Sequence, residues 1–485
     1  MDISNIHKEN NQDMKRPALI FNDHIISYAE LEQNIIHTAN YLSQQGLKPG
    51  ERAAIALPNC PEFIYFYFGL IRAGGIAVPL NLLQKPVELA FMLSDSGARI
   101  LVTNEAIGSA FAQLPGQTVA TLILDEIYRQ KISAAPQVSF PEADPESVCT
   151  FLYTSGTTGH PKAAMLTHNN LNGNVRSMDD VSDFDRADNF LAVLPMFHSF
   201  GWATCVLLPL HTGCMITILD GFRPKEVLKV LSQKGITVFC GVPSMFAVLL
   251  KLRRQAEFTS LKYAISGGDS ISEGHMLAFE NSFNFPIIEG YGLSEASPVV
   301  SLNPLKGIRK MKSVGLPLPK VEVKIIDDEG AELPPGEVGE LIVKGPNVMK
   351  GYYKREEETR MALKDGWLYT GDLAYCDSDG YIFIVGRKKE LIITAGFNVY
   401  PGEVEEALEA HESVAEAAVI GIPHPVKGEV IKAFIIPSEG CKPDKNELSR
   451  FLRGRLSIYK VPEVFETASE LPKGASGKVL KRLLK

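Results

Sequence analysis

Apolar residues recur at helical spacing from Tyr28 through Leu31, Ile35 and Ala39 to Leu42, a stripe that predicts one buried helix face. Ser27-Tyr28-Ala29-Glu30 reads as a capping box that opens this helix, and Gly46 can close it. Ala53–Leu57 is a short apolar run of strand length. Pro61 opens a second helix that reaches Arg72 and ends at Gly74-Gly75. Ile76–Pro79 predicts a strand, Val87–Ser94 a helix and Arg99–Thr103 another strand. This alternation predicts right-handed βαβ units on a parallel sheet, and it resumes from Val148 to about Val300. The aromatic run Phe63-Ile64-Tyr65-Phe66-Tyr67-Phe68 covers every face of its helix, which predicts burial in the core rather than contact with a membrane.

The pattern changes after about Lys312. Val321–Ile326, Glu340–Val343 and Tyr381–Val385 are short strands separated by the turns Asp328-Glu329-Gly330 and Pro334-Pro335-Gly336, a pattern of an antiparallel sheet or small barrel. The last hundred residues or so predict their own helix (Glu403–Ala410), strands (Ala417–Ile420, Ala433–Ile436) and helix (Glu447–Leu456), enough for a small α+β unit. The fold class expected is therefore α/β. A large N-terminal domain (1–386) holds βαβ subdomains (about 1–311) and a small β-barrel-like subdomain (312–386). A hinge (387–389) leads to a small mobile α+β domain (390–485). Residues 1–17 read as a loose polar leader.

Composition narrows the function classes. Of 485 residues, 45% are hydrophobic and 22% charged, ordinary for a globular chain. Lys and Arg number 49 against 57 Asp and Glu, a net charge of −8 that gives no general attraction for nucleic acid. Seven scattered cysteines with no CxxC pair point away from a disulfide framework or zinc ribbon and toward a reducing compartment. No secretory signal and no run of about 18 apolar residues is visible, so the expected location is cytoplasmic, without integral membrane association.

The densest chemistry lies in Tyr153-Thr154-Ser155-Gly156-Thr157-Thr158-Gly159-His160-Pro161-Lys162, directly after the apolar strand Val148–Leu152. Glycines let backbone N–H groups close on an anion, the hydroxyls add donors and Lys162 adds charge, a set suited to a polyphosphate. The Gly-Lys-Ser/Thr ending of a Walker A loop is missing. This loop resembles the phosphate-binding signature of the adenylate-forming enzymes, which include acyl-CoA synthetases, amino-acid adenylation domains and luciferases. Four further segments resemble that family's motifs in its order: Tyr291-Gly292-Leu293-Ser294-Glu295, Tyr369-Thr370-Gly371-Asp372, the hinge Gly386-Arg387-Lys388-Lys389-Glu390, and Pro472-Lys473-Gly474-Ala475-Ser476-Gly477-Lys478.

The resemblance implies a carboxylate attacking ATP to give an acyl-adenylate and pyrophosphate, followed by attack of a thiol. On that reading Lys478 bridges the acyl carboxylate and the α-phosphate, Lys162 serves the phosphates, and Glu295 holds Mg²⁺, a hard cation suited to oxygen ligands. Thr154 to Gly159, Tyr291, Gly292, Ser294, Asp372 and Arg387 would hold the nucleotide, with Ser294 standing where the family usually has Thr. Gly267, Gly268 and Asp269 would meet adenine, Asp269 being a departure from the usual Ala. His198, Gly241, Val242, Met245 and Gly290 would line the acyl pocket. His198 stands where amino-acid-activating relatives carry an Asp, and an ammonium buried there without a carboxylate would be costly. Lys389 would be the pivot and Gly396 would line the thiol channel.

The expected function is an acid–thiol ligase for a fatty or other apolar acid, with ATP, Mg²⁺ and CoA as the small molecules. A carrier-protein phosphopantetheine is an alternative acceptor, making an acyl carrier protein the partner. A phosphate-loop ATPase or nucleotide sensor is the alternative from another class, and a luciferase-like oxygenase a third, with nothing in the chain demanding oxygen chemistry. Oligomeric state and the acid's chain length are not specified by the sequence.

Overall fold

The computed structural model describes residues 2–11, 13–82, 84–112, 119–154, 161–252, 257–474 and 478–484. Among these, two large sheets form the N-terminal body. One runs, in spatial order, 316–317, 299–302, 287–292, 263–266, 238–241, 189–192, 215–218, 17–21 and 24–27. Its central pairs are parallel, with antiparallel strands only toward the two ends. The other runs 351–352, 162–167, 148–154, 76–79, 52–56, 100–103 and 120–123. It is parallel except that 148–154 pairs antiparallel with 162–167, and that strand with 351–352.

The helices that alternate with these strands pack between and over the sheets. Ser27 caps Tyr28–Gln44 in a complete capping box with Glu30, and Pro61–Arg72 buries Phe63, Ile64, Phe66, Tyr67 and Phe68 in the shared core. Trp202 completes that aromatic cluster, its ring centroid 4.1 Å from Tyr67 and 5.5 Å from Phe63. No helix among the described residues is long and apolar enough to cross a membrane.

The β-rich region forms an antiparallel sheet ordered 322–326, 339–344, 367–376 and 363–364, with 382–387 also paired to 367–376. The C-terminal part builds its own sheet, 397–399, 392–394, 428–437 and 414–424, joined in parallel by 464–467. Helices Pro401–Glu409 and Lys445–Arg453 cover it, burying Val404, Leu408, Leu448 and Leu452 in a separate core. The hairpin strands Val414–His424 and Gly428–Pro437 are longer than the apolar runs that announce them. The last helix ends at Arg453, before Gly454, rather than at Leu456.

The first residues overturn the expectation of a loose leader. Ile3–Lys8 is a 3₁₀ helix capped by Asp2, and Ile3, Ser4, Ile6 and His7 are buried. Two isoleucines at i and i+3 supply the apolar contact, and distant side chains satisfy the polar groups. His7 Nε2 lies 2.9 Å from Glu32 and Arg72 donates to Glu32 at 2.8 Å and to the Ser4 carbonyl at 2.7 Å. Burial alone would raise the Glu32 carboxyl, but His7, Arg72 and Lys8 outweigh it and hold it at about 2.

Candidate active site

The site forms where the ends of several strands converge. Residues 155–160, including Ser155, Gly156, Thr157, Thr158 and Gly159, lie outside the described residues, but both flanks of the loop are placed. Thr154 ends its strand and pairs in register with Lys162. Tyr153 is anchored by Asp95, its hydroxyl donating to Oδ2 at 2.8 Å.

Glu295 sits in a 3₁₀ turn (Ser294–Ala296) after the strand Ile287–Gly292. The chain must cross itself tightly here: a Cβ on Gly292 would lie 2.2 Å from the Pro298 carbonyl oxygen, so only glycine fits. Glu295 Oε1 accepts from the Thr154 hydroxyl at 3.3 Å and from the Tyr352 hydroxyl at 2.8 Å. Lys162 Nζ stands 4.5 Å from the centroid of the Tyr352 ring. Ser294 Oγ is 3.1 Å from Ser199 Oγ. Tyr352 was not marked by the sequence. It lies 57 residues from Glu295, so no local pattern could point to it, whereas Ser199 directly follows the marked His198.

Asp372 is buried beside these groups. Arg387 Nε donates to its Oδ1 at 2.6 Å, the two residues facing each other across neighbouring strands, and Tyr291 donates its hydroxyl to Oδ2. Each carboxylate oxygen keeps a second lone pair, which leaves acceptor capacity for hydroxyl donors. Burial and the Asp372 charge both push the Tyr291 phenol upward, so it remains a donor.

His198 opens the short helix Ser199–Trp202, its Nδ1 accepting from the Phe200 N–H at 3.3 Å. That acceptor role assigns the proton of the neutral ring to Nε2. Burial first, and then the charge of Lys478, push this imidazole down to about 4. Lys478, 280 positions later in the chain, is therefore close enough to act on His198 through its charge. Its carbonyl accepts from the Gly474 N–H at 2.8 Å.

Beyond His198, Phe200 packs among the glycines of the strand ends. A Cβ on Gly267 would lie 3.1 Å from Phe200 Cζ and 3.4 Å from the Gly290 carbonyl, and one on Gly268 would lie 3.4 Å from Val242. Val242 caps the helix Pro243–Lys251, which buries Met245, and Gly241 is walled by Phe239 and Phe246. Asp269 is exposed and engages only the neighbouring Ser270 N–H at 3.0 Å among the described residues. Lys389 is exposed in the 3₁₀ turn Lys388–Glu390. Gly396, at φ +84°, tips a hairpin between Ile392–Thr394 and Phe397–Val399, and nothing lies within 4 Å of where its Cβ would be. The structure thus groups Thr154, Lys162, Ser294 and Glu295, sets Tyr291, Asp372 and Arg387 beside them and Lys478 near His198, and leaves Gly396 open.

Glu289, two residues before Tyr291, is 3% exposed. Its Oε1 accepts from Ile271 N–H at 3.3 Å, which fixes the turn after Gly268. Oε2 has no hydrogen-bond partner among the described residues. Burial raises this carboxyl from 4.5 to about 8, with a smaller push from Asp269. Below 4.5 folded and unfolded chains are both protonated. Between 4.5 and 8 only the unfolded chain ionises, so stability falls as pH rises through that window. Glu289→Gln keeps the acceptor and removes the titration. Its stability advantage over the parent grows from pH 5 to pH 8, by at most about 1.4 kcal/mol per pH unit. Thermal unfolding of both proteins across that range checks it, and a constant gap would refute it.

Comparison with known proteins identifies the family. The model described as AMP-binding enzyme matches residues 6–353, and that of the AMP-binding enzyme C-terminal domain matches 403–478. The chain belongs to the AMP-binding enzyme family. This AMP-binding enzyme is 36% identical to a long-chain-fatty-acid–CoA ligase of Bacillus subtilis, over 97% of its own length and 91% of the relative's. It is 37% identical to a feruloyl-CoA synthase of Amycolatopsis, over 94% and 92%. Family and relatives place it among the acyl-CoA synthetases, ligases of the AMP-forming kind. Among solved structures it resembles ATP-bound MatB from Rhodopseudomonas palustris with TM-score 0.93 at 31% identity, covering 100% of this chain and 98% of that one. Against the apo form of the same protein, at the same identity and coverage, the TM-score is 0.83. The chain thus resembles the ATP-bound form of MatB more than its apo form.

Proposed function

We propose that this AMP-binding enzyme adenylates an apolar carboxylic acid and then transfers the acyl group to CoA. The observation that carries the reading is the grouping of Glu295, Thr154, Tyr352 and Lys162 beside the Asp372–Arg387 pair, with the charge of Lys478 felt at His198. A carboxylate attacking a polyphosphate meets like-charge repulsion, so neutralising and positioning groups must supply most of the rate. Lys478 is assigned to the acyl carboxylate and α-phosphate, Lys162 and the hydroxyls around it to the outer phosphates, and Asp372 with Arg387 to the ribose side. Glu295 is assigned to magnesium. No cluster of three or more His, Cys, Asp or Glu side chains suited to a metal exists among the described residues. A single carboxylate fits Mg²⁺ that arrives on ATP and takes its other ligands from phosphate and water.

The acid is assigned from the wall. His198, neutral at pH 7, together with Phe200, Gly241, Val242, Met245, Gly267 and Gly290, presents no cation to a second carboxylate and no anion to an ammonium. The named acids of the two curated relatives, a long-chain fatty acid and ferulate, agree with such a lining. CoA is taken as acceptor from those same relatives, and neither carrier-protein loading nor plain nucleotide hydrolysis draws support from them. ATP–pyrophosphate exchange across fatty, aryl, dicarboxylic and amino acids tests the reading. Exchange confined to the first two classes supports it. Exchange that prefers amino acids or dicarboxylates, or ADP as the product, overturns it.

Gly396 supplies the test of the second half-reaction. Leucine there meets open space in the present arrangement, apart from the cost of holding φ near +84°. Gly396→Leu leaves exchange near the parent rate. It lowers acyl-CoA formation about tenfold or more, because a small misplacement at a thiol channel is expensive. Parallel assays of exchange and thioester yield check it, and an unchanged thioester yield removes this turn from the thiol path.

A further inference from the structure

The strand Gly351–Tyr352 lies against Lys162–Thr167, with Tyr352 facing Ala164 in register, and so brings one aromatic side chain between two parts of the proposed nucleotide site. Its hydroxyl donates to Glu295 Oε1 at 2.8 Å, and its ring carries the Lys162 ammonium at 4.5 Å. The backbone repeats the tie, since Met349 N–H donates to the Glu295 carbonyl at 2.8 Å. The segment is held from behind as well. Tyr352 N–H donates to Thr359 Oγ1 at 2.9 Å. Arg355 donates to Asp95 Oδ1 at 3.1 Å, the carboxylate whose other oxygen accepts from Tyr153 at the foot of the phosphate loop. Tyr352 is 9% exposed, so its ring lies in the packed interior beside Glu295.

We propose that Tyr352 is a positioning residue for magnesium-bound ATP, fixing the carboxylate that meets the cation and the lysine that meets the phosphates at one set separation. The hydroxyl holds Glu295 through Oε1, so a cation bound by this carboxylate would meet it in one fixed orientation. The ring face seats Lys162 by a cation–π contact, which orients the ammonium without neutralising it as a carboxylate partner would. A protein without this junction still binds nucleotide through its other groups, but loses the gain in affinity that magnesium confers.

This inference rests on the assignment of Glu295 to magnesium, and the experiment separates the two. ATP is titrated calorimetrically into the full-length protein with excess Mg²⁺ and again with a chelator, for the parent, Tyr352→Phe and Tyr352→Leu. Thermal unfolding confirms that each variant is folded. In the parent, magnesium tightens ATP binding. In Tyr352→Phe the affinity for magnesium-bound ATP falls roughly tenfold, the scale of one hydrogen bond to a charged group, while affinity for metal-free ATP stays at the parent value. Tyr352→Leu, which also removes the seat for Lys162, weakens both. A Tyr352→Phe protein that keeps the parent's magnesium gain, or loses both affinities in equal measure, overturns the role of Tyr352. A parent that shows no magnesium gain overturns the Glu295 assignment instead, and this role with it.

Discussion

Replacing Lys478 with alanine lowers ATP–pyrophosphate exchange by about 10²–10³-fold, the usual loss when one preorganised charge-stabilising donor is removed. Thioester formation from supplied acyl-adenylate survives. The two outcomes divide because the proposed assignment gives this side chain to the first step alone. Its neighbours in the basic tail are committed elsewhere: Lys473 pairs with Glu416 at 2.7 Å, and Lys481 with Glu405 at 2.7 Å. Lys478 has no ion-pair partner among the described residues, yet its charge is felt at His198. An unpaired ammonium held next to the acyl wall is what an incoming carboxylate and phosphate require. The same variant has a readout independent of catalysis. Removing the positive charge makes His198 easier to protonate, so its imidazole titrates at a higher pH than in the parent, by NMR, although burial still keeps it below the ordinary histidine range. Equal loss in both half-reactions, or an unmoved titration, would contradict the assignment.

What the sequence displayed and what it hid follow from the range of the interactions involved. The helix Tyr28–Gln44 announces itself because Ser27 and Glu30 cap each other within one turn, and Pro61–Arg72 because proline opens it and glycines end it. Both signals are local. The 3₁₀ helix at Ile3–Lys8 offers only two apolar residues, and its burial is completed by Glu32, Arg72 and His168, which local periodicity cannot connect to it. The same limit governs the site. Thr154, Glu295, Asp372 and Lys478 stand out because each lies in a distinctive string of residues. Tyr352 does not, since Gly351-Tyr352-Tyr353 reads as an ordinary strand end, and only its pairing with 162–167 brings it to Lys162. Glu289 was equally invisible, because a Glu in an apolar strand declares its burial only when the neighbouring strand and the Ile271 turn close over it.

Asp372→Ala has the broadest expected effect, reaching both stability and nucleotide binding. Removing one member of a buried ion pair leaves the other uncompensated, at a cost of about 3–5 kcal/mol when both are fully buried. Here the Asp372 side chain is 5% exposed but Arg387 is 41% exposed, so water takes over part of the guanidinium. The loss of the pair is correspondingly about 1–3 kcal/mol. The Tyr291 hydroxyl, left buried without its acceptor, adds about 1 kcal/mol. Arg387→Ala costs at least as much, because it leaves the Asp372 carboxylate, 5% exposed, without its cation, although the Tyr291 hydroxyl still donates to it. The Asp372 backbone N–H donates to Thr370 Oγ1 at 3.0 Å and is not part of the ion pair. The double variant is therefore less destabilised than the sum of the singles, with a coupling of about 0.5–3 kcal/mol by denaturant unfolding. Added salt changes that coupling little, since the carboxylate lies out of reach of the ionic atmosphere. Function follows the same geometry. Both oxygens of Asp372 are already engaged, and under the proposed assignment their remaining lone pairs take the ribose hydroxyls, so alanine raises the KM for ATP more than it lowers kcat. Strict additivity of the two substitutions would show that Asp372 and Arg387 act separately, and a kcat loss at unchanged KM would move Asp372 from holding the nucleotide to the chemical step.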